Sequence, residues 1–258
     1  MGQLNNIGAI QMVIETMKEK PKKLKLNPPI IIVNFKAYRE AIGENAIRLS
    51  EIVEDVANEY DTITFAVAPQ PTDIFRVAQV TEKTLVFAQH IDPVTFGAFT
   101  GNIPPEVVKL SGASGTLINH SEKPLPDEII RETINRAKET ELITVVCAGS
   151  ISKVEKVTIF TPNYVAYEPP ELIGTGISVS RAQPEILREA VKKINELGKG
   201  KVIPLCGAGI SNKEDVIRAF ELGVNGILVS SAIVKAKDPC IKLQEFADGI
   251  LEYLETIE

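Results

Sequence analysis

Eight short apolar runs, separated by amphipathic stretches, constrain this chain more than any other feature. They are Ile30–Val33, Ile63–Ala68, Leu85–Ala88, Gly115–Ile118, Leu142–Cys147, Tyr164–Tyr167, Val202–Cys206 and Gly226–Val229. Each is four to six residues long and mostly β-branched or small. Runs without polar alternation suit strands buried on both faces, as parallel strands are. Helical periods lie between them. Ala46, Leu49, Val53 and Val56 share one face, as do Leu187, Ala190, Val191 and Ile194, and as do Leu243, Phe246, Ile250 and Leu254. Ser211 followed by Glu214 reads as a capping box opening the helix of Val216, Ala219 and Phe220. Pro184 sits where a helix takes its first residue. The stretch between Cys147 and Tyr164 leaves room for only about two helical turns. Eight βα units fit a closed barrel or an open doubly wound sheet. At 258 residues, count and length favour the α/β class and a (β/α)8 barrel.

Charge and cysteine usage narrow the partners. A formal charge of −6 argues against nucleic acid, whose binders carry a basic footprint. It leaves a small anionic substrate open, because such a ligand sees the local field of a cleft. Cys147, Cys206 and Cys240 form neither a disulfide framework nor a zinc pattern, which fits a reducing, cytoplasmic setting. No apolar run approaches the ~18 residues of a membrane span. Residues 7–17 are mildly apolar, but Glu15 interrupts them and no basic segment precedes them, so they do not read as a secretory signal. Residues 1–27 read as an N-terminal extension, either loosely docked or a short helix (Ile7, Ile10, Ile14, Met17) packed on the barrel or a partner. Residues 28–258 read as one catalytic barrel domain.

In such a barrel, chemistry collects where strands end. Asn34 and Lys36 follow the first run, and His120 and Glu122 follow the fourth. Glu168 follows the sixth; a stiff Pro169-Pro170, an apolar tip and Gly174-Thr175-Gly176 come next, a build that suits a lid. Gly207-Ala208-Gly209 and Ser230-Ser231-Ala232 follow the seventh and eighth runs. Small residues in those two loops let backbone N–H groups approach a phosphate. Each segment alone has an ordinary explanation: a solvated lysine, a structural histidine, a loop crossing the rim. Their combination is more specific.

With VNFKAY at 33–38, VAPQ at 67–70, AQHIDP at 88–93, GAFTGNIP at 97–104, GTLINHSEK at 115–123, YEPPELIGTG at 167–176, LCGAGIS at 205–211 and GILVSSAIVKA at 226–236, the chain resembles the triosephosphate isomerases, in particular their compact archaeal branch. The resemblance runs from about Pro29 to the C-terminus and implies a TIM barrel with no cofactor and no metal. It implies interconversion of D-glyceraldehyde 3-phosphate and dihydroxyacetone phosphate through an enediolate, in glycolysis and gluconeogenesis. Glu168 would shuttle the proton. His120 would be a neutral electrophile, Lys36 a positive charge, and Asn34 a holder beside it. Glu122 would be a buried acid near the site. Gly174, Gly209, Ser230 and Ser231 would bind phosphate. Thr100, in the loop Gly97–Gly101, would reach a neighbouring subunit's site, making the chain a homo-oligomer, with a tetramer favoured and a dimer the alternative. Three features depart from the family's pattern. Pro124 and Pro126 crowd the turn after His120 and put its dipole support in doubt. Ser230-Ser231 stands where many relatives carry a glycine pair, adding two hydroxyls. Residues 1–27 have no counterpart. Two other readings compete: a barrel enzyme acting on a different sugar or heterocycle phosphate, and a scaffold that binds phosphate without turnover.

Overall fold

The computed structural model describes residues 29–172, 176 and 178–257. The expected extension 1–27 therefore lies outside the described residues, as do Ile173, Gly174 and Thr175 of the expected lid. All eight apolar runs form strands: β1 (Ile30–Asn34), β2 (Thr64–Ala68), β3 (Leu85–Ala88), β4 (Gly115–Ile118), β5 (Ile143–Ala148), β6 (Tyr164–Tyr167), β7 (Ile203–Cys206) and β8 (Gly226–Val229). They pair in sequence order, all parallel, and close into a barrel. The closing pair aligns Ile30 with Gly226 and Val33 with Val229. The open sheet is thereby excluded.

Each strand is buried on both sides because it divides two cores. Ile30, Ile32, Ala66, Phe87, Leu117, Val145, Ala166, Leu205 and Leu228 fill the barrel interior. Ile31, Val33, Val67, Val146, Val165 and Ile227 face outward under the helices. That double burial explains the missing polar alternation.

The helices lie where the periods place them. They are α1 (Glu44–Glu59), α2 (Ile74–Ala78), α3 (Pro105–Leu110), α4 (Asp127–Glu139), α5 (Ile151–Thr158), α6 (Val179–Ala182), α7 (Pro184–Gly198), α8 (Lys213–Glu221), α9 (Ser231–Val234) and α10 (Pro239–Glu255). Pro184 opens α7 as expected, and α5 has the expected eight residues, about two turns. One cap differs from the reading of the sequence. Asn212, not Ser211, caps α8, and its side chain accepts the Asp215 N–H. Asp215, not Glu214, is the acid that reaches back, and it accepts from the N–H and Oγ of Ser211, the residue before the cap. The last helix, α10, is capped by Asp238 and packs against both α8 and α1, completing the outer ring.

Candidate active site

The strand period builds the mouth of the barrel. Side chains alternate across a strand, so the residue two past an inward-facing one also points inward. The last inward residues of the eight strands are Ile32, Ala68, Phe87, Leu117, Cys147, Ala166, Leu205 and Leu228. Two residues beyond them stand Asn34, Gln70, Gln89, Asn119, Gly149, Glu168, Gly207 and Ser230. The apolar interior thus gives way within one period to a polar rim. A cleft of about 300 Å³ opens there, lined among others by Asn34, Lys36, His120, Glu168, Gly207, Gly209, Ser230 and Ser231. The lysine, histidine and glutamate expected from three separate strand ends are therefore brought together with the small residues after β7 and β8.

Glu168 is the centre of this arrangement. Only 3% of it is exposed, and burial pushes its carboxyl up to about 7; the Cys147 thiol and the Lys36 charge pull the other way. Its neighbour across the mouth is His120, with Nε2 4.0 Å from Glu168 Oε1. Space for Glu168 comes from Gly207. A methyl group at Gly207 would lie 2.2 Å from Glu168 Cγ, closer than any two carbons can pack.

His120 is off the strand period by one. Asn119 makes the correction by adopting a left-handed backbone, φ 60°, pinned by Asn119 Nδ2 donating to Cys147 O and Oδ1 accepting from Leu125 N–H. The prolines that crowd the next turn do not abolish it: Lys123 N–H still donates to His120 O at 2.7 Å. Within that turn Glu122 N–H donates to His120 Nδ1 at 3.2 Å, which assigns the ring proton to Nε2. Burial and then the Lys36 charge lower the His120 pKa to about 4, against the opposing pull of Glu122. With its pKa lowered that far the ring is neutral near pH 7, and burial is the first cause.

Lys36 occupies a backbone conformation that side chains rarely adopt, φ 49°. Three side-chain amides hold it there. Asn34 Oδ1 accepts the Lys36 N–H at 2.9 Å, while Gln70 and Gln89 both donate to the Lys36 carbonyl, at 2.7 and 2.9 Å. Gln89 also reaches Ala68 O, and Gln70 donates to Gln89. Both glutamines escaped the reading of strand ends, which looked for charges. The signal that could have found them is the period itself.

One expectation from the resemblance is corrected. Glu122 is not buried: its side chain is 58% exposed and pairs with Lys36 Nζ at 2.8 Å. The neighbouring turn carries its carboxylate to the rim, where two long side chains meet at the edge of solvent. Of the two hydroxyls gained after β8, Ser230 Oγ donates to Asn34 O at 2.7 Å, tying β8 to β1. Thr100 is exposed on its loop and does not line the cleft. Gly174 lies outside the described residues. Cys206 is fully buried, and burial raises its thiol to about 12, so it stays protonated and inert. Among the described residues no cluster of His, Cys, Asp or Glu is arranged to hold a metal ion.

The comparisons agree with one another. A family model described as Triosephosphate isomerase matches residues 29–248. A triosephosphate isomerase of Saccharolobus solfataricus is 40% identical over 231 residues, covering 90% of this chain and all of the relative. One from Methanobrevibacter smithii is 45% identical over 214 residues, covering 83% of this chain and 95% of the relative. Among solved structures, triosephosphate isomerase from Bartonella henselae superposes with a TM-score of 0.68 at 21% identity, covering 85% of this chain and 99% of that one, a likeness of fold.

Proposed function

The chain belongs to the triosephosphate isomerase family, and from that premise we propose how its cleft interconverts D-glyceraldehyde 3-phosphate and dihydroxyacetone phosphate. The observation that carries the reading is the facing pair: a carboxyl raised to about 7 and a neutral imidazole Nε2, 4.0 Å apart, beside a fixed ammonium. Glu168 takes a proton from the carbon next to the substrate carbonyl and returns it to the neighbouring carbon. A base near neutrality both ionises and releases its proton readily. As the carbonyl oxygen gathers charge, the His120 Nε2–H gives its proton to it and takes back the proton of the adjacent hydroxyl, which becomes the new carbonyl, while the Lys36 ammonium stabilises the enediolate. A neutral donor is suited to this task because it gains strength as the oxygen becomes basic.

Gly209, Ser230 and Ser231, with Gly174, form the proposed phosphate cup. The start of α9 at Ser231 supports this, since the first turn of a helix leaves backbone N–H groups without intrahelical partners. The residues after Glu168 serve as the closing lid, and the barrel, from 28 to 258, works as one catalytic domain. The compartment is cytoplasmic, in keeping with three unpaired thiols and with the lack, among the described residues, of any helix long and apolar enough to cross a membrane. Exposed Phe96, Phe99, Val107 and Leu110, clustered in sequence around the Thr100 loop and α3, favour a homo-oligomer, a tetramer first.

The test supplies D-glyceraldehyde 3-phosphate in D2O with chelator present and detects dihydroxyacetone phosphate with a reducing enzyme. Rapid conversion with deuterium entering next to the carbonyl is expected. No conversion, or a product wholly free of deuterium, would sink the proton shuttle.

A further inference from the structure

One buried acid takes no part in the chemistry above. Asp215, in the first turn of α8, is 1% exposed. Its Oδ2 accepts from Ser211 N–H at 3.0 Å and from Ser211 Oγ at 2.9 Å. Its Oδ1 pairs with Arg181 Nε at 2.5 Å. Its backbone carbonyl accepts from Ser180 Oγ at 3.2 Å. Arg181 also donates to Asn212 Oδ1 at 3.0 Å, and Val179 N–H donates to Ala208 O at 3.3 Å. Three segments converge on one carboxylate: α6, which follows Glu168 in the chain, the loop after β7, and α8.

A helix cap alone would need only Asn212 and one returned hydrogen bond. It would not need an arginine from another βα unit, nor burial. A buried carboxylate is costly unless it is paired, so removing Arg181 or Ser211 from Asp215 leaves the acid short of a partner and loosens the segments it joins. Ser211 lines the cleft beside Gly209.

We propose that Asp215, through Arg181, is a positioning residue for the phosphate cup. It fixes the backbone of the loop Gly207–Ser211 against α6, so that the loop's N–H groups are already aimed before a phosphate arrives. It never touches substrate. The proposal rests on the reading of Gly209 and its neighbours as the cup.

Two variants test it. Asp215→Asn keeps the shape of the acid and removes its charge. Arg181→Met lies half in solvent, so it breaks the pair without opening the core. Inorganic phosphate is the probe: its affinity is read by calorimetry and as a competitive inhibition constant. Both variants are expected to weaken phosphate and to raise KM for D-glyceraldehyde 3-phosphate by about tenfold or more, the effect of losing a charge-assisted contact, with kcat/KM for unphosphorylated D-glyceraldehyde kept within about twofold. Arg181→Lys should restore part of the loss. Unchanged phosphate affinity in both variants overturns the proposal, as does an equal loss on both substrates, which marks general damage. If the wild-type chain binds phosphate yet does not turn over triose phosphate, the functional reading fails while the calorimetric comparison still decides this one.

Discussion

Glu168 and Asp215 are two carboxylates with almost no contact with solvent, placed on consecutive βα units of one barrel. The fold treats them oppositely. Asp215 is given a backbone N–H, a hydroxyl and a guanidinium. Glu168 is given room: it sits over a glycine and, among the described residues, no lysine or arginine pairs with it; each acid keeps one oxygen without a hydrogen-bond partner, but Asp215 Oδ1 is met by the Arg181 ion pair and Glu168 Oε2 is not. Natural interiors pair nearly all of their buried charges, so a buried carboxyl with no cation held against it marks a place where stability has been set aside for something else. An acid held by an arginine, a hydroxyl and a backbone N–H keeps its neighbours still. An unsatisfied one has its pKa lifted toward neutrality and can take a proton and give it back. The contrast separates scaffold from chemistry without reference to any relative.

The strongest way to break this contrast is to remove the underserved acid. Glu168→Gln should lower kcat/KM on the order of 10³-fold, within the span that general-base groups contribute. For the wild type, kcat/KM should climb with pH and level off above an apparent pKa near 7, because the base must be ionised. Unphosphorylated glyceraldehyde separates this limb from the titration of the phosphate, whose second pKa lies near ~6. A profile flat from about pH 5 to 9 would show that Glu168 is an ordinary carboxylate, and the comparison would lose its basis.

Gly207 sharpens the point. With Ala in its place, Glu168 must shift, since the new carbon would meet it at 2.2 Å. A displacement of about 1 Å at a reacting group costs on the order of 10²-fold, so Gly207→Ala should reduce kcat by that amount with phosphate affinity unchanged. If phosphate binding suffers instead, the glycine serves the cup, not the base.

These effects bear on how far the molecule was legible from its sequence. The eight runs announced the barrel because double burial removes the alternation of polar and apolar residues from a strand. Glu168 was legible because it extends the inward period of β6 by one step. Gln70 and Gln89 extend β2 and β3 by the same step, yet neutral amides do not stand out as chemistry. Their work is backbone bracing, which only the φ of Lys36 reveals. His120 lies off the period, and nothing local announces that Asn119 turns left-handed to bring it in. Glu122 was misread as buried because the depth of a rim residue depends on the turn that carries it. Asp215 was overlooked in favour of Glu214, one residue away in the same first turn. Its partner Arg181 lies on an earlier unit, and a pairing made only by the closed barrel leaves no periodic trace.

The amide brace predicts a smaller effect. Gln70→Ala with Gln89→Ala leaves the Lys36 carbonyl without its two donors and frees a strained backbone to relax. A loss of about tenfold in kcat/KM is expected, at roughly 1 kcal/mol per hydrogen bond, and the double variant should exceed either single one. It should fall on kcat more than on phosphate affinity, because the ammonium acts on the enediolate. Equal kinetics in wild type and double variant would mean that Asn34 alone holds the lysine.

The smallest effect is on stability. A carboxyl whose folded pKa is raised from 4.5 to about 7 makes the folded state hold a proton that the unfolded chain has released. Stability therefore falls as pH rises between those two values, is fully reduced above about 7, and carries no such penalty below about 4.5. Glu168→Gln removes the titration. The linkage alone is worth on the order of 3 kcal/mol, of which a buried amide with incomplete partners gives back most, leaving roughly 1 kcal/mol. At this chain length that is about 2–4 °C in melting temperature. The variant should melt higher than wild type at pH 8, and the gap should close and then reverse as pH falls toward 4.5, where the linkage is gone and only the cost of the buried amide remains. Asp215→Asn should do the reverse and melt lower, since it takes away a satisfied charge. If both substitutions shift the melting temperature in the same direction at pH 8, the two acids differ in location and not in kind.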